Sequence, residues 1–157
     1  MVSLRVVTYN VRSLRDDRDA LVRVIRRLSA DVVCMQEAPR RLRWRARCAA
    51  LARDTGLLYV GGGGTAGGSM MLASLRVDVR STLEYRFSRT PELHERGAVA
   101  AGVELGDRYS FDLVHGHDRD LHRLGIEEKR AVPPAGLADH DAAAGEPIRA
   151  TLEVSKA

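Results

Sequence analysis

Cysteines, aromatic residues and long apolar runs are all scarce in this chain of 157 residues. Two cysteines, Cys34 and Cys48, are too few for a disulfide framework, and we expect a cytoplasmic protein. Aromatic residues make up only 4% of the chain, which argues against the stacking platforms that bind single-stranded nucleic acid. No apolar run approaches the roughly 18 residues of a membrane span. The opening MVSLRVVTYNV carries Arg5 and no small-residue cleavage site, so we expect no signal peptide.

Lysine is almost absent as well. All but two of the 25 basic residues are arginine, and the exceptions are Lys129 and Lys156. The formal net charge of +4 and the pI near 9.5 suit a polyanionic partner. The guanidinium group suits bidentate recognition of phosphate. A compositional bias toward alanine, glycine and arginine explains the same excess, so the charge alone does not decide the function.

The composition is that of a globular protein, with 45% hydrophobic and 29% charged residues, and we predict one domain over residues 1–157. Residues 3–9 are rich in β-branched residues and alternate loosely, as a strand does. A helix capped by Asp16 or Asp17 follows, and residues 32–36 form a buried strand. Strand, helix and strand at these lengths predict a βαβ unit with parallel strands.

The pattern predicts a second helix from about Pro39 to Arg53, ended by Gly56. The GGGGTAGG stretch (61–68) is interpreted as a flexible loop, and the polar residues 115–146 are left unassigned. The remaining strands are predicted at residues 57–60, 69–74, 77–85, 97–105, 109–114 and 147–154. The predicted fold class is therefore α/β (α+β), with mixed β-sheets packed as a sandwich flanked by helices.

The segment ADVVCMQEA (30–38) is unusual because a buried strand runs directly into the carboxylate of Glu37. The carboxyl ends of parallel strands meet at one edge of a sheet, so Asn10 and Glu37 should lie side by side. An amide beside a carboxylate offers the oxygen ligands that Mg²⁺ uses. The alternative is that Glu37 only caps the following helix through the helix dipole. The spacing leaves both interpretations open.

These segments resemble a known family. LRVVTYNVRSL followed by ADVVCMQEA resembles the opening of the endonuclease/exonuclease/phosphatase family, the deoxyribonuclease-I-like metal-dependent phosphoesterases. HERGAVAAGVEL (94–105) resembles the mid-chain arginine-glycine strand of that family and would place Arg96 near the site. GLADHDAAAGEPIRATLEV resembles the closing Asp-His motif and last strand, with Asp139 and His140 in place. The resemblance is clear over residues 3–105 and patchy afterwards.

The resemblance implies hydrolysis of a phosphoester, nuclease or phosphatase-like, with Mg²⁺ or alternatively Mn²⁺ as the cofactor. Glu37 would hold the metal together with Asn10, and Arg96 would support the site electrostatically. His140, oriented by Asp139, would stabilise the transition state or move a proton. The implied partner is a phosphoester substrate, with nucleic acid among the candidates.

The chain also departs from the family. The Gly-Asp-x-Asn motif is missing, because Gly106 and Asp107 are followed by Arg108. We therefore expect an incomplete version of the family's four-layer fold, without an internal block and without the aspartate that helps to activate water. The segment DLVHGHDRDLHRL matches either the family's histidine strand or a later strand before the Asp-His motif. We favour the later strand, because Asp139 follows at a sensible distance.

A histidine cluster has three interpretations. The His-x-His of His115 and His117 puts both imidazoles on one face of a strand, and Asp118 and His122 would complete a transition-metal site. The second interpretation is a solvated polar turn that leaves an edge strand. In the third, His115 stands in for the family histidine that contacts the scissile phosphate.

The alternative function is that of a non-catalytic family remnant that binds phosphorylated ligands or nucleic acid through arginines (Arg40, Arg41, Arg43 and Arg45). A small metal-binding protein built on the histidine cluster is a third candidate. The leading hypothesis of a phosphoester hydrolase predicts that Asn10, Glu37 and His140 converge in one cleft at the carboxyl edge of the central strands.

Overall fold

The structure, a computed structural model, describes residues 2–88, 95–106, 109–116 and 150–156. In chain order the elements are β1 (Val2–Asn10), a short 3-10 turn (Arg12–Leu14), α1 (Arg18–Leu28), β2 (Val32–Gln36), α2 (Trp44–Thr55), β3 (Leu58–Gly62), β4 (Met70–Ala73), β5 (Asp78–Arg86), β6 (Gly97–Leu105), β7 (Tyr109–Gly116) and β8 (Ala150–Lys156). The predicted fold class is confirmed. The assignment of the whole chain to one domain stays a prediction.

The larger sheet has five strands in the order β3-β4-β2-β1-β8. β1 is parallel to both β2 and β8, and β4 is antiparallel to β2 and to β3. The β1–β2 register runs from Val6 opposite Val32 to Asn10 opposite Gln36, so both strands end at the same level. The predicted βαβ unit is therefore present, and it brings the residues after β1 and β2 to one edge of the sheet.

The two faces of the larger sheet pack against different layers. One face, which includes Val7 and Val33, packs against α1 and α2 through residues such as Ile25 and Leu51. The other face packs against the smaller sheet, an antiparallel β5-β6-β7 arrangement. Successive strand residues point to opposite faces, which is why β2 is buried on both sides. The described residues form three layers, helix, sheet and sheet.

The start of the second helix was predicted wrongly. α2 begins at Trp44 and not near Pro39. The chain leaving β2 first runs beside the 61–68 stretch, where the Ala38 N–H donates to the Gly68 carbonyl at 2.8 Å. Arg43 then takes a left-handed φ of 58° immediately before the helix. The residues between are therefore committed to a tertiary contact, and helical geometry becomes available only after Arg43.

The 61–68 stretch, which we name the glycine turn, is a packed turn and not the flexible loop that its composition suggests. The Gly62 N–H donates to Glu84 Oε1 on β5 at 2.7 Å. The Trp44 ring covers the next two glycines so closely that a Cβ on Gly63 or Gly64 would lie within 3 Å of it. The glycines permit this close approach of α2 and β5, and the turn joins both sheets to the helix layer.

Both cysteines are buried and free. Burial raises the pKa of the Cys34 thiol to about 12 and that of the Cys48 thiol to about 11, with Arg47 partly opposing the second shift. These thiols are therefore packing groups rather than nucleophiles.

No helix in the described part of the chain is long and apolar enough to cross a membrane.

We predict that Gly67→Ala destabilises the fold far more than Gly106→Ala. The two glycines have nearly equal φ, 60° and 63°, so both variants incur the cost of about 1–2 kcal/mol of a left-handed alanine. A Cβ at Gly67 would also lie 2.2 Å from the Arg96 carbonyl carbon, whereas none of the described residues comes within 4 Å at Gly106. The clash should add about 1–3 kcal/mol, measurable by urea unfolding. Equal losses in the two variants would contradict the packed glycine turn.

Candidate functional site

Asn10 and Glu37 lie side by side at the carboxyl ends of β1 and β2. Asn10 Nδ2 donates a hydrogen bond to Glu37 Oε1 at 3.0 Å, and both side chains are exposed. The neighbourhood that parallel pairing predicted is thus observed, and we call these residues the Asn10/Glu37 pair. The catalytic and metal-binding roles given to them stay predictions.

The orientation of the Asn10 amide follows from its second hydrogen bond. Asn10 Oδ1 accepts from the Arg12 backbone N–H at 3.0 Å. A backbone N–H can only donate, so the oxygen must face Arg12 and the nitrogen must face Glu37. Among the described residues Glu37 Oε2 has no hydrogen-bond donor. This geometry favours Glu37 as a ligand and Asn10 as the residue that orients it.

The backbone around the pair is strained. Arg12, Ser13 and Leu14, which form the left-handed turn (Arg12–Leu14), have φ values of 43°, 58° and 54°, and Glu37 has 53°. A left-handed conformation costs a residue with a Cβ about 1–2 kcal/mol. The Ser13 N–H donates to the Glu37 carbonyl at 2.7 Å, which joins the two strained segments. No residue type in the sequence signals this turn, and its strain fits a functional site.

The interpretation of Glu37 as a helix cap is wrong. α2 begins at Trp44, seven residues beyond Glu37, and Arg43 precedes it without any side-chain cap. The helix dipole acts only within the first turn. Glu37 therefore has no structural role at a helix terminus, and its position at the end of β2 needs another explanation.

His115 contacts the end of β2 from the smaller sheet. Its Nε2 lies 3.0 Å from the Met35 carbonyl oxygen, and since a carbonyl only accepts, Nε2 is the donor. His115 is 7% exposed. The contact ties the two sheets together beside Glu37, but whether His115 contacts a phosphate stays a prediction.

The other residues of the histidine cluster, His117, Asp118 and His122, lie outside the described residues. Among the residues that are described, no group of three or more His, Cys, Asp or Glu could hold a metal ion.

Arg96 lies just before β6 and is half-buried. Its backbone packs against Gly67, and the neighbouring Glu95 carbonyl accepts from Arg40 Nη1 at 2.9 Å. The glycine turn thereby connects Arg96 to Ala38, the residue after Glu37. The role of Arg96 stays a prediction.

Of the other residues proposed for the site, Asp139 and His140 lie outside the described part of the chain, so their convergence with Glu37 stays a prediction. The match of DLVHGHDRDLHRL to a later strand of the family also stays a prediction. Its first residues belong to β7, which pairs directly with β6. Arg41, Arg43 and Arg45 are exposed, and Arg45 lies over the Trp44 ring at 4.4 Å from its centroid.

An α/β sandwich with an amide and a carboxylate at adjacent parallel strand ends is the arrangement that the resemblance predicted. The chain matches the endonuclease/exonuclease/phosphatase family over residues 7–148, and it belongs to that family. No curated protein matches the chain.

Several solved structures share the fold. TDP2 from D. rerio has a TM-score of 0.56 and 19% identity over 71% of this chain and 44% of that one. An endonuclease/exonuclease/phosphatase from Bacteroides vulgatus has a TM-score of 0.54 and 18% identity over 70% of this chain and 50% of that one. ANGEL2 has a TM-score of 0.50 and 15% identity over 71% of this chain and 40% of that one. The matched part spans half or less of each relative.

We predict that Asn10→Asp lowers the melting temperature of the metal-free protein. The aspartate keeps the acceptor for Arg12 N–H but replaces the donor that faces Glu37 with a second carboxylate, so attraction at 3.0 Å becomes repulsion. Added Mg²⁺ should then stabilise Asn10→Asp more than it stabilises the parent chain. Thermal unfolding in EDTA and in Mg²⁺ measures both effects. A variant as stable as the parent in EDTA would contradict the Nδ2–Oε1 hydrogen bond.

Proposed function

We propose that this chain is a metal-dependent phosphoester hydrolase, nuclease or phosphatase-like, in which Glu37 holds Mg²⁺, with Mn²⁺ as the alternative ion. The observation that carries the proposal is the Asn10/Glu37 pair at the level ends of two parallel strands, in a chain of the endonuclease/exonuclease/phosphatase family. Ligands of α/β sheets bind at this edge.

The donor set fits Mg²⁺. The ion keeps several waters and is typically bound by one or two carboxylates together with phosphate oxygens of the substrate. Glu37 supplies one exposed carboxylate whose Oε2 is unoccupied by any described donor. A bound ion polarises a phosphoryl oxygen and offsets developing negative charge.

The residues of the chain have separate proposed tasks. Asn10 holds the Glu37 carboxylate in one orientation through Oε1, which leaves Oε2 for the ligand. Arg96 supports the anionic substrate electrostatically, and His115 fixes the end of β2 through Met35 or contacts the phosphate. His140, oriented by Asp139, stabilises the transition state or moves a proton.

The substrate class we propose is a phosphoester of a nucleotide or nucleic acid. Two structural relatives carry such ligands: D. rerio TDP2 is complexed with a single strand DNA product, and ANGEL2, a 2',3'-cyclic phosphatase, with adenosine-2',3'-vanadate. The arginine-rich composition suits the same class. We further propose a cytoplasmic location, in keeping with the two free cysteines.

A non-catalytic remnant that binds phosphorylated ligands is the second candidate. The exposed guanidinium groups of Arg41, Arg43 and Arg45 favour it, because solvent-exposed cations contact phosphates without any catalytic residue. Arg40, the fourth of these arginines, instead bonds to the Glu95 carbonyl. Hydrolysis that depends on Glu37 separates the two candidates.

We predict that Glu37→Gln abolishes stabilisation by Mg²⁺ and changes the stability of the metal-free protein only slightly. The glutamine Oε1 still accepts from Asn10, and no helix cap is lost, whereas the negative charge is removed. A ligand that binds only the folded state stabilises it by RT ln(1 + [L]/Kd), so the shift in melting temperature should grow with Mg²⁺ concentration in the parent chain. Glu95→Gln, an exposed glutamate, is the control and should keep the shift. Equal Mg²⁺ stabilisation of parent and Glu37→Gln would refute the metal site.

We predict slow hydrolysis of a nonspecific phosphodiester in Mg²⁺ or Mn²⁺. General-base assistance is typically worth 10²–10⁴-fold, and the chain lacks the Gly-Asp-x-Asn motif that carries the activating aspartate in the family. Asp118 and Asp141, which follow His117 and His140 directly in the sequence, are the candidates for a substitute base. Turnover slightly above that of Glu37→Ala is expected. Rates of about 1–10³ per second, lost in Glu37→Ala, would show that a competent base is present.

A further inference from the structure

Arg47 on α2 contacts the left-handed turn, although it lies far from the turn in sequence. Its Nη2 donates to the Ser13 carbonyl at 2.7 Å and approaches the Leu14 carbonyl at 3.5 Å. A guanidinium donor makes a charge-assisted hydrogen bond, which is stronger than a neutral one. One side chain from the helix layer thus holds two consecutive carbonyls of the strained turn.

The left-handed turn also holds the Asn10/Glu37 pair. Arg12 N–H bonds to Asn10 Oδ1 at 3.0 Å, and Ser13 N–H bonds to the Glu37 carbonyl at 2.7 Å. If the turn relaxed to ordinary backbone angles, both donors would move away. Asn10 would then lose the contact that keeps its nitrogen toward Glu37.

We propose that Arg47 is a positioning residue for the metal site: it keeps the turn left-handed and so keeps Asn10 and Glu37 in ligand-binding geometry. The inference rests on the proposed role of Glu37 as the Mg²⁺ ligand. Arg47 itself is exposed and touches neither Asn10 nor Glu37 in any described hydrogen bond. It acts entirely through the backbone of Ser13 and Leu14.

The sign of the effect separates positioning from simple electrostatics. Arg47 is a cation, so removing it would strengthen Mg²⁺ binding if only its charge mattered. Loss of positioning weakens binding instead, and removing a residue that orients a metal ligand typically costs 10- to 100-fold in affinity. We therefore expect Arg47→Ala to bind Mg²⁺ about 10- to 100-fold more weakly.

The experiment measures Mg²⁺ affinity by calorimetry in the full chain. Arg53→Ala is the matched control, because Arg53 is an exposed arginine of the same helix and makes no described contact with the turn. The rescue variant combines Arg47→Ala with Ser13→Gly. Glycine adopts the φ of 58° at no steric cost, so the double variant should recover most of the lost affinity. Ser13 contributes only backbone atoms to the described hydrogen bonds, so replacing its side chain removes none of them.

A second measurement needs no metal. Hydrogen exchange of the Arg12 and Ser13 amides should accelerate in Arg47→Ala and stay unchanged in Arg53→Ala. Three results would each overturn the proposal. The first is unchanged exchange of these amides in Arg47→Ala, and the second is Mg²⁺ binding in Arg47→Ala that is unchanged or tighter. The third is a loss of affinity in Arg47→Ala that Ser13→Gly does not restore. If the parent chain binds no Mg²⁺, the proposed function fails and the positioning of the metal site fails with it, while exchange still decides whether Arg47 holds the turn.

Discussion

The parallel pairing of β1 with β2 is the constraint on which the site depends. Because Asn10 lies opposite Gln36, the residues that follow the two strands emerge at one level, and the Asn10 amide reaches the Glu37 carboxylate. A shift of the register by one residue would turn Val33 and Met35 to the other face of the sheet and would no longer place Asn10 opposite Gln36. The register of β1 against β2 therefore decides which side chains meet at this edge of the sheet.

The end of β2 is held from several directions. The glycine turn bonds to Ala38, His115 bonds to the Met35 carbonyl from the smaller sheet, and the left-handed turn bonds to the Glu37 carbonyl. Two of these contacts satisfy backbone groups of Glu37 and Ala38, which lie beyond the end of β2, and the His115 contact adds a donor to a carbonyl within the strand. Glu37 is therefore held in one geometry in advance, so that a ligand at its carboxylate, such as the proposed metal ion, would not have to order it.

Local pattern predicted the elements and the strand-end pair, because alternation, β-branching and parallel connection act over short stretches of chain. The errors arose where distant residues decide the conformation. Trp44 and Glu84 pack on the glycine turn, which we predicted to be flexible from its composition. The Gly68 contact of Ala38 delays the start of α2. Ser13, which has left-handed angles, bonds to Glu37 and Arg47 from distant parts of the chain, and serine itself gives no sign of these angles.

The most direct test of the account is a titration of the isotope-labelled chain with Mn²⁺, followed by paramagnetic broadening of its backbone amide resonances. If Glu37 is the ligand, the signals of Asn10, Ser13, Glu37 and Ala38 should broaden first, at the lowest Mn²⁺ concentration, and excess Mg²⁺ should restore them. Broadening that begins elsewhere, for example at the paired acidic residues Asp78 and Glu104 of β5 and β6, while the Glu37 signal stays sharp, would contradict the metal site.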